Sequence, residues 1–177
     1  MTGLLILALG AAAMAVLLFS MWTLSFTGVP VRASTPEAIQ AALDLLQLED
    51  GERFVDLGCG FGDALRGARR RADVQAVGYE LNPFAVAGAA LRTDRKTRVR
   101  LGDFRRKDLR GFGAVFFYLI PKFLQKNAGW LETAFAPGTR VVAIDFPVPG
   151  WKAEAVKEVG PLRQPIHLYV IGRQRPS

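Results

Sequence analysis

Residues 53–62 read Arg-Phe-Val-Asp-Leu-Gly-Cys-Gly-Phe-Gly, an apolar run that ends in glycine at every second position. The run has the length and composition of a short buried strand. Glycines at Gly58, Gly60 and Gly62 turn the chain sharply, and a Cβ on Gly58 or Gly60 would stand between the backbone and any ligand lying on it. Residues 63–71 then read as a helix whose N-terminus faces the same place. Strand, tight glycine turn and helix form the nucleotide-binding corner of a doubly wound α/β sheet.

Spacing narrows the ligand. A dinucleotide loop carries G-x-G-x-x-G and aims a helix dipole at a pyrophosphate. This chain instead has Asp56-x-Gly58-x-Gly60-x-Gly62. The pattern resembles motif I of the class I S-adenosylmethionine methyltransferases, whose cofactor has no phosphate and a cationic amino-acid end that suits the acid. An ordinary glycine turn or a variant dinucleotide loop is the competing reading of the loop alone. Further acids follow in order. A second strand over residues 74–79 ends at Glu80, placed to accept hydrogen bonds from ribose hydroxyls. A third strand over residues 99–101 leads to Gly102-Asp103, where an acid in this fold faces the adenine amino group. Residues 114–120 read as the fourth strand.

The apolar residues are unevenly spread. Residues 3–22 hold no charge, and the first charged residue of the chain is Arg32. Twenty apolar residues at 1.5 Å each span ~30 Å, the thickness of a bilayer core. A transmembrane helix is expected over residues 4–25, with Trp22 near an interface. A signal peptide needs a basic start, which Met1-Thr2 lacks. Lys and Arg all follow the span, which places the C-terminal part on the cytoplasmic side of the membrane. The expected organisation is an anchor at 1–27, a linker at 28–33 and one domain at 34–177.

Within that domain, Ser34-Thr35-Pro36-Glu37 has capping-box spacing and opens a helix with Ile39, Ala42, Leu43 and Leu46 on one face. Asn82-Pro83 is a cap and first turn for a helix over 84–92. Residues 121–135 read as one helix, 139–144 as a fifth strand, and 154–159 with 166–171 as an antiparallel pair around Gly160-Pro161. Asp145 to Trp151, with two prolines, leaves the carboxyl end of the sheet as a loop. The fold class is therefore α/β, a Rossmann-like seven-strand sheet with one N-terminal transmembrane helix.

Cys59 is the only cysteine and His167 the only histidine, which argues against a disulfide, a cysteine-rich metal site or a histidine-based one. Cys59 is read as packing within the loop. The net charge is +7, with a basic run from Arg92 to Arg110. Such a run suits an anionic membrane surface, a nucleic acid, or simply a solvated face.

The combined elements carry a closer resemblance. The short apolar N-terminus, the Ser-Thr-Pro helix start, Asp56-Leu57-Gly58-Cys59-Gly60, Gly78 to Pro83 and Asp145-Phe146 with Trp151 resemble a small seven-strand protein-lysine methyltransferase family. That family includes membrane-anchored mitochondrial enzymes acting on the ATP synthase c-subunit and the adenine nucleotide translocase, and a broad-specificity archaeal enzyme is similar. The resemblance implies S-adenosylmethionine as cofactor and a lysine of a membrane-associated protein as acceptor. With the loop readings, the cofactor set is Asp56, Gly58, Cys59, Gly60, Glu80, Leu81 and Asp103. The resemblance places Asn82, Tyr118, Asp145 and Trp151 near the acceptor, Tyr118 and Asp145 as the groups that aim the amine and Trp151 along a lysine channel. Packing is the alternative for Trp151, capping for Asn82 and Asp145. No metal and no nucleic acid are expected, since Phe117 to Pro121 lacks the Asn/Asp-Pro-Pro-Tyr pattern of many base-methylating enzymes. The rival functions are a methyltransferase for a lipid or small amphiphile, and a non-catalytic S-adenosylmethionine-binding module at the membrane.

Overall fold

The computed structural model describes residues 34–174, together with Gly3, residues 5–7, residues 9–12 and Met14, which are helical. The chain divides into two compact units, Met1–Arg32 and Ala33–Ser177. Most of the expected transmembrane span, residues 4–25, lies outside the described residues. No helix among the described residues is long and apolar enough to cross a membrane.

The second unit is built on a seven-strand sheet. In chain order its elements are α1 (Pro36–Leu46), β1 (Arg53–Leu57), α2 (Asp63–Arg71), β2 (Gln75–Glu80), α3 (Pro83–Arg92), β3 (Thr97–Leu101), a 3-10 turn (Phe104–Arg106), β4 (Ala114–Phe117), α4 (Pro121–Lys126), α5 (Ala128–Ala134), β5 (Arg140–Ile144), β6 (Ala155–Val159) and β7 (Gln164–Val170). The strand order is β3-β2-β1-β4-β5-β7-β6. The first five strands are parallel, and β7 runs antiparallel to both β5 and β6. The strands buried on both faces read as continuous apolar runs because helices cover a parallel sheet from both sides.

Side-chain alternation sorts the core into two layers. Phe54, Ala76, Phe116, Val142 and Ile166 face α1 and α2, where Leu43, Leu46 and Leu65 are fully buried. Val55, Leu57, Val115, Phe117 and Tyr169 face the other way and meet Leu124 and Leu131 of α4 and α5. Each fully buried large aliphatic side chain contributes about 1.5–3 kcal/mol.

Local chemistry shifts three expected features. The cap of α1 is Thr35, not Ser34. With Pro36 as the first helical residue, Thr35 Oγ1 is the oxygen that accepts from Ala38 N, at 3.2 Å. The helix expected over 121–135 is two helices, broken at Asn127. The Asn127 backbone sits at φ −114° and ψ 15°, and its Nδ2 donates to the Phe123 carbonyl at 2.8 Å. The Phe123 carbonyl at the end of α4 thereby accepts from both the side chain and the backbone N of Asn127, the latter at 3.0 Å. Finally, β4 stops at Phe117 rather than running on to residue 120, so Tyr118 lies beyond the strand end.

Candidate functional site

All five parallel strands deliver their carboxyl ends to one rim of the sheet, the rim where open α/β folds bind ligands. The glycine loop lies at its centre. Gly58 N and Cys59 N both donate to the Tyr79 carbonyl, at 2.9 and 3.0 Å, and tie the loop to the end of β2. Gly58 has φ 90° and Gly60 φ 51°, a left-handed region that is strained for side-chain-bearing residues. A Cβ built on either would meet no protein atom within 4 Å. The space above the loop is therefore open, and these glycines keep it so. Cys59 turns back into the sheet. Its Sγ would lie 2.6 Å from a Cβ on Gly78, and burial, followed by the charges of Asp56 and Glu80, pushes the thiol far above its usual range. A thiol held protonated in this way packs; it does not attack.

Asp56 is the next-to-last residue of β1, directly behind the loop, and is only 3% exposed. No described residue donates a hydrogen bond to its carboxyl or pairs with it. Burial, then the neighbouring Glu80 and Asp63, push this carboxyl well above the usual carboxylate range. A buried acid without a counter-charge, opening onto a clear cradle, suits a ligand that brings a cation.

Glu80, at the end of β2, has a structural task as well as an expected ligand role. Its Oε2 accepts from Gly60 N at 3.0 Å, and its Oε1 accepts from Leu81 N at 2.7 Å and Asn82 N at 2.9 Å. One carboxylate thus fastens the glycine loop to the start of α3. A carboxylate has about four lone-pair sites, so acceptor capacity remains for a hydroxyl. Leu81 is half exposed beside it. Asn82 is the cap of α3, its Oδ1 accepting from Phe84 N at 2.9 Å and Ala85 N at 3.3 Å. Asp103 follows β3 and is already engaged. Arg105 Nη2 donates to it at 2.7 Å, Arg105 Nε and N donate as well, and this pairing holds the carboxyl below its usual range. A ligand amino group at Asp103 would share it with Arg105.

Tyr118 and Asp145, one residue beyond β4 and β5, meet directly: the phenol donates a hydrogen bond to Asp145 Oδ2. Asp145 has φ 64°, and its N donates to the Pro165 carbonyl at 2.9 Å. A non-glycine residue held there signals a position that the surroundings over-determine. Tyr118 also stacks on Phe146, with ring centroids 6.3 Å apart.

Trp151, read from the sequence either as lining a lysine channel or as packing below the loop, is buried. It is 8% exposed and stands edge-on to Tyr169 at 5.3 Å, while the Tyr169 hydroxyl accepts from Val148 N at 3.0 Å. The apolar underside of the loop needs a large side chain to fill it, and the indole is that side chain. Its Nε1 has no partner among the described residues. His167, noted in the sequence only as the lone histidine, stacks on Tyr169, and its Nε2 is buried with no hydrogen-bond partner among the described residues. The one available signal was a lone histidine in a strand beside the Asp145 loop. No cluster of metal-ligating side chains occurs among the described residues.

The strand order, the glycine loop and the ring of acids at the strand ends define a class I methyltransferase. A solved RNA methyltransferase from Salinibacter ruber, in complex with S-adenosyl-L-homocysteine, superposes with a TM-score of 0.73 at 26% identity, over 83% of this chain and 97% of that one. Residues 56–155 match the family described as the ANTKMT methyltransferase domain. The chain belongs to that family. It is 32% identical to the adenine nucleotide translocase lysine N-methyltransferase of Mus musculus, over 87% of this chain and 73% of that protein. It is 26% identical to a protein-lysine N-methyltransferase of Saccharolobus islandicus, over 83% of this chain and 96% of that one.

Proposed function

We propose that this chain transfers a methyl group from S-adenosylmethionine to a lysine side chain of a protein, and that it works at a membrane. The cofactor brings an activated methyl on a sulfonium, and its cationic amino-acid end supplies the charge that the Asp56 carboxyl lacks. The clear backbone at Gly58 and Gly60 lets it lie close. Glu80 has acceptor capacity for the ribose, and Leu81 gives an apolar flank.

The observation that carries the acceptor reading is the Tyr118–Asp145 pair. A phenol whose proton is committed to a carboxylate keeps oxygen acceptor capacity toward which an amine N–H can be aimed. Asp145, joined to the phenol, adds negative charge for the cationic product. The amine must arrive neutral, and desolvation at this rim beside a cationic cofactor favours that form. Bound S-adenosylmethionine would supply the methyl to the amine lone pair and keep the C–S electron pair on sulfur, and the new ammonium would lose its proton to water. The chain's contribution is alignment and exclusion of water.

The membrane part of the reading rests on the uncharged residues 3–22. A single-pass anchor there, with the basic residues on the cytoplasmic side, keeps the domain near membrane-bound acceptors. The likeness to an RNA methyltransferase favours a second reading, an RNA acceptor. One experiment separates these: labelled methyl is transferred from S-adenosylmethionine into membrane, soluble-protein and RNA fractions, followed by acid hydrolysis. Methyl-lysine is expected; label confined to RNA or to extractable lipid would overturn the lysine reading. Resistance of the full chain to alkaline extraction from membranes tests the anchor.

A further inference from the structure

The connection from β3 to β4 has to cross β2 and β1, and its one regular element is the 3-10 turn Phe104–Arg106. Its apolar residues, Phe104, Leu109 and Phe112, pack with the layer over β1 and β4. They leave the outer part of that face bare. A groove of about 600 Å³ lies there, lined by Val77, Tyr79, Arg53, Arg95, Arg98 and Arg100.

Arg98 and Arg100 are two residues apart on β3, opposite Val77 and Tyr79 in register, so both stand on the uncovered face. Their spacing along the strand is ~7 Å. Both are exposed. Neither they nor Arg95 make an ion pair or side-chain hydrogen bond among the described residues. Five arginines elsewhere on the domain, Arg66, Arg69, Arg71, Arg92 and Arg105, each meet a carboxylate, whereas Arg106 and Arg110 of the β3–β4 connection make no ion pair among the described residues. Two acids line the groove, but Asp73 is held by Arg69 and Lys96, and Asp108 accepts from Arg110 N. Asp108 thus remains as one unpaired carboxylate among Arg53, Arg95, Lys96, Arg98 and Arg100, and the groove carries a net positive field, the complement of an acidic partner.

Several occupants fit poorly. The chain has no Asp or Glu before Glu37, so its own N-terminal stretch brings no counter-charge. A second copy brings the same positive groove. The aromatic rings in the wall are buried, Tyr79 to 6% and Phe112 to 3% exposure, and offer bases no stacking platform.

We propose that this groove docks an acidic segment of the protein whose lysine is methylated, an inference that rests on the protein-acceptor reading above. The segment is separate from the residues flanking the target lysine, because β3 and β4 are three strand spacings apart, ~14 Å. Docking there raises the local concentration of the lysine without touching the chemistry.

The test uses the full chain in detergent, the double variant Arg98→Gln/Arg100→Gln, and a fluorescent glutamate-rich peptide as probe. Exposed, unpartnered side chains can be exchanged with little effect on stability, and an unchanged melting temperature and S-adenosylmethionine affinity verify the fold. The wild type binds the peptide in a salt-sensitive way, and the variant binds about tenfold more weakly. On the methylated protein, KM rises by a similar factor while kcat is unchanged. Equal peptide binding by wild type and variant overturns the proposal. So does tighter binding of an RNA oligonucleotide or of phosphatidylglycerol vesicles through the same two arginines. Lysine labelling with unchanged KM in the variant sinks the docking assignment alone. Absence of lysine labelling by the wild type sinks the acceptor reading, and this assignment with it.

Discussion

The phenol of Tyr118 donates to the carboxylate of Asp145, and so joins the chain just past β4 to the chain just past β5. The two residues are 27 positions apart, and only the parallel pairing of β4 with β5 brings them together. Because they act as one unit, their effects should not add. Tyr118→Phe and Asp145→Asn should each keep S-adenosylmethionine affinity and slow methyl transfer by roughly 10–100-fold. The double variant should be no slower than the worse single one. Single-turnover rates check this, and two full, multiplying losses would separate the residues.

Glu80 should matter beyond any hydroxyl it receives. Glu80→Ala removes the acceptor for Gly60 N, Leu81 N and Asn82 N together. Hydrogen bonds to a charged group are worth about 1.5–3 kcal/mol each. S-adenosylmethionine affinity should fall at least about tenfold, and amide exchange at residues 58–62 should speed up. Unchanged affinity by calorimetry would remove Glu80 from the site.

The cradle at Gly60 permits a cleaner separation of binding from stability. A Cβ there meets nothing in the protein, so Gly60→Ala should cost only about 1–2 kcal/mol of left-handed strain. The methyl enters the open space above the loop, and cofactor affinity should fall by more than that cost implies. Gly78→Ala should behave in the opposite manner. Its Cβ would lie 2.6 Å from Cys59 Sγ and 2.7 Å from Leu65 Cδ1, so overpacking of about 1–3 kcal/mol is expected in thermal unfolding.

Asp56 should make binding and stability depend on pH with opposite signs. Its folded carboxyl is raised, so the ligand-free fold takes up a proton more readily than the unfolded chain. Stability of the ligand-free protein should fall as pH rises from the unfolded carboxyl value, about 3.9, through the raised folded one. A cationic ligand lowers that value again, so S-adenosylmethionine affinity should increase over the same window, with proton release. Calorimetry in buffers of different ionisation enthalpy reads the proton directly, and Asp56→Asn should abolish it.

His167 should contribute on the acid side. Burial lowers its pKa, so protonation opposes the fold. Stability present above about pH 6.5 should be lost as pH falls through and below that value. In His167→Gln this acid-side loss should shrink, as seen in melting temperatures measured across the range.

What could be read from the sequence alone was local. Glycine needs and strand-end acids are properties of a few adjacent residues, so the loop at Gly58 to Gly62, Asp56, Glu80 and the Asn82 cap were legible in order. So was the alternation that buries Phe54 and Val55 on opposite faces. The cap at Thr35 rather than Ser34 and the helix break at Asn127 were not, because the first depends on which hydroxyl reaches Ala38 N and the second on a non-helical backbone at one residue of the folded chain. Tertiary structure alone decided the rest. It buried Trp151 against Tyr169, gave three backbone N–H groups to Glu80, engaged Asp103 with Arg105 and paired Tyr118 with Asp145. It also left Arg98 and Arg100 on a bare sheet face, since whether a crossing chain covers a strand depends on its path over the sheet and not on the residues of the strand.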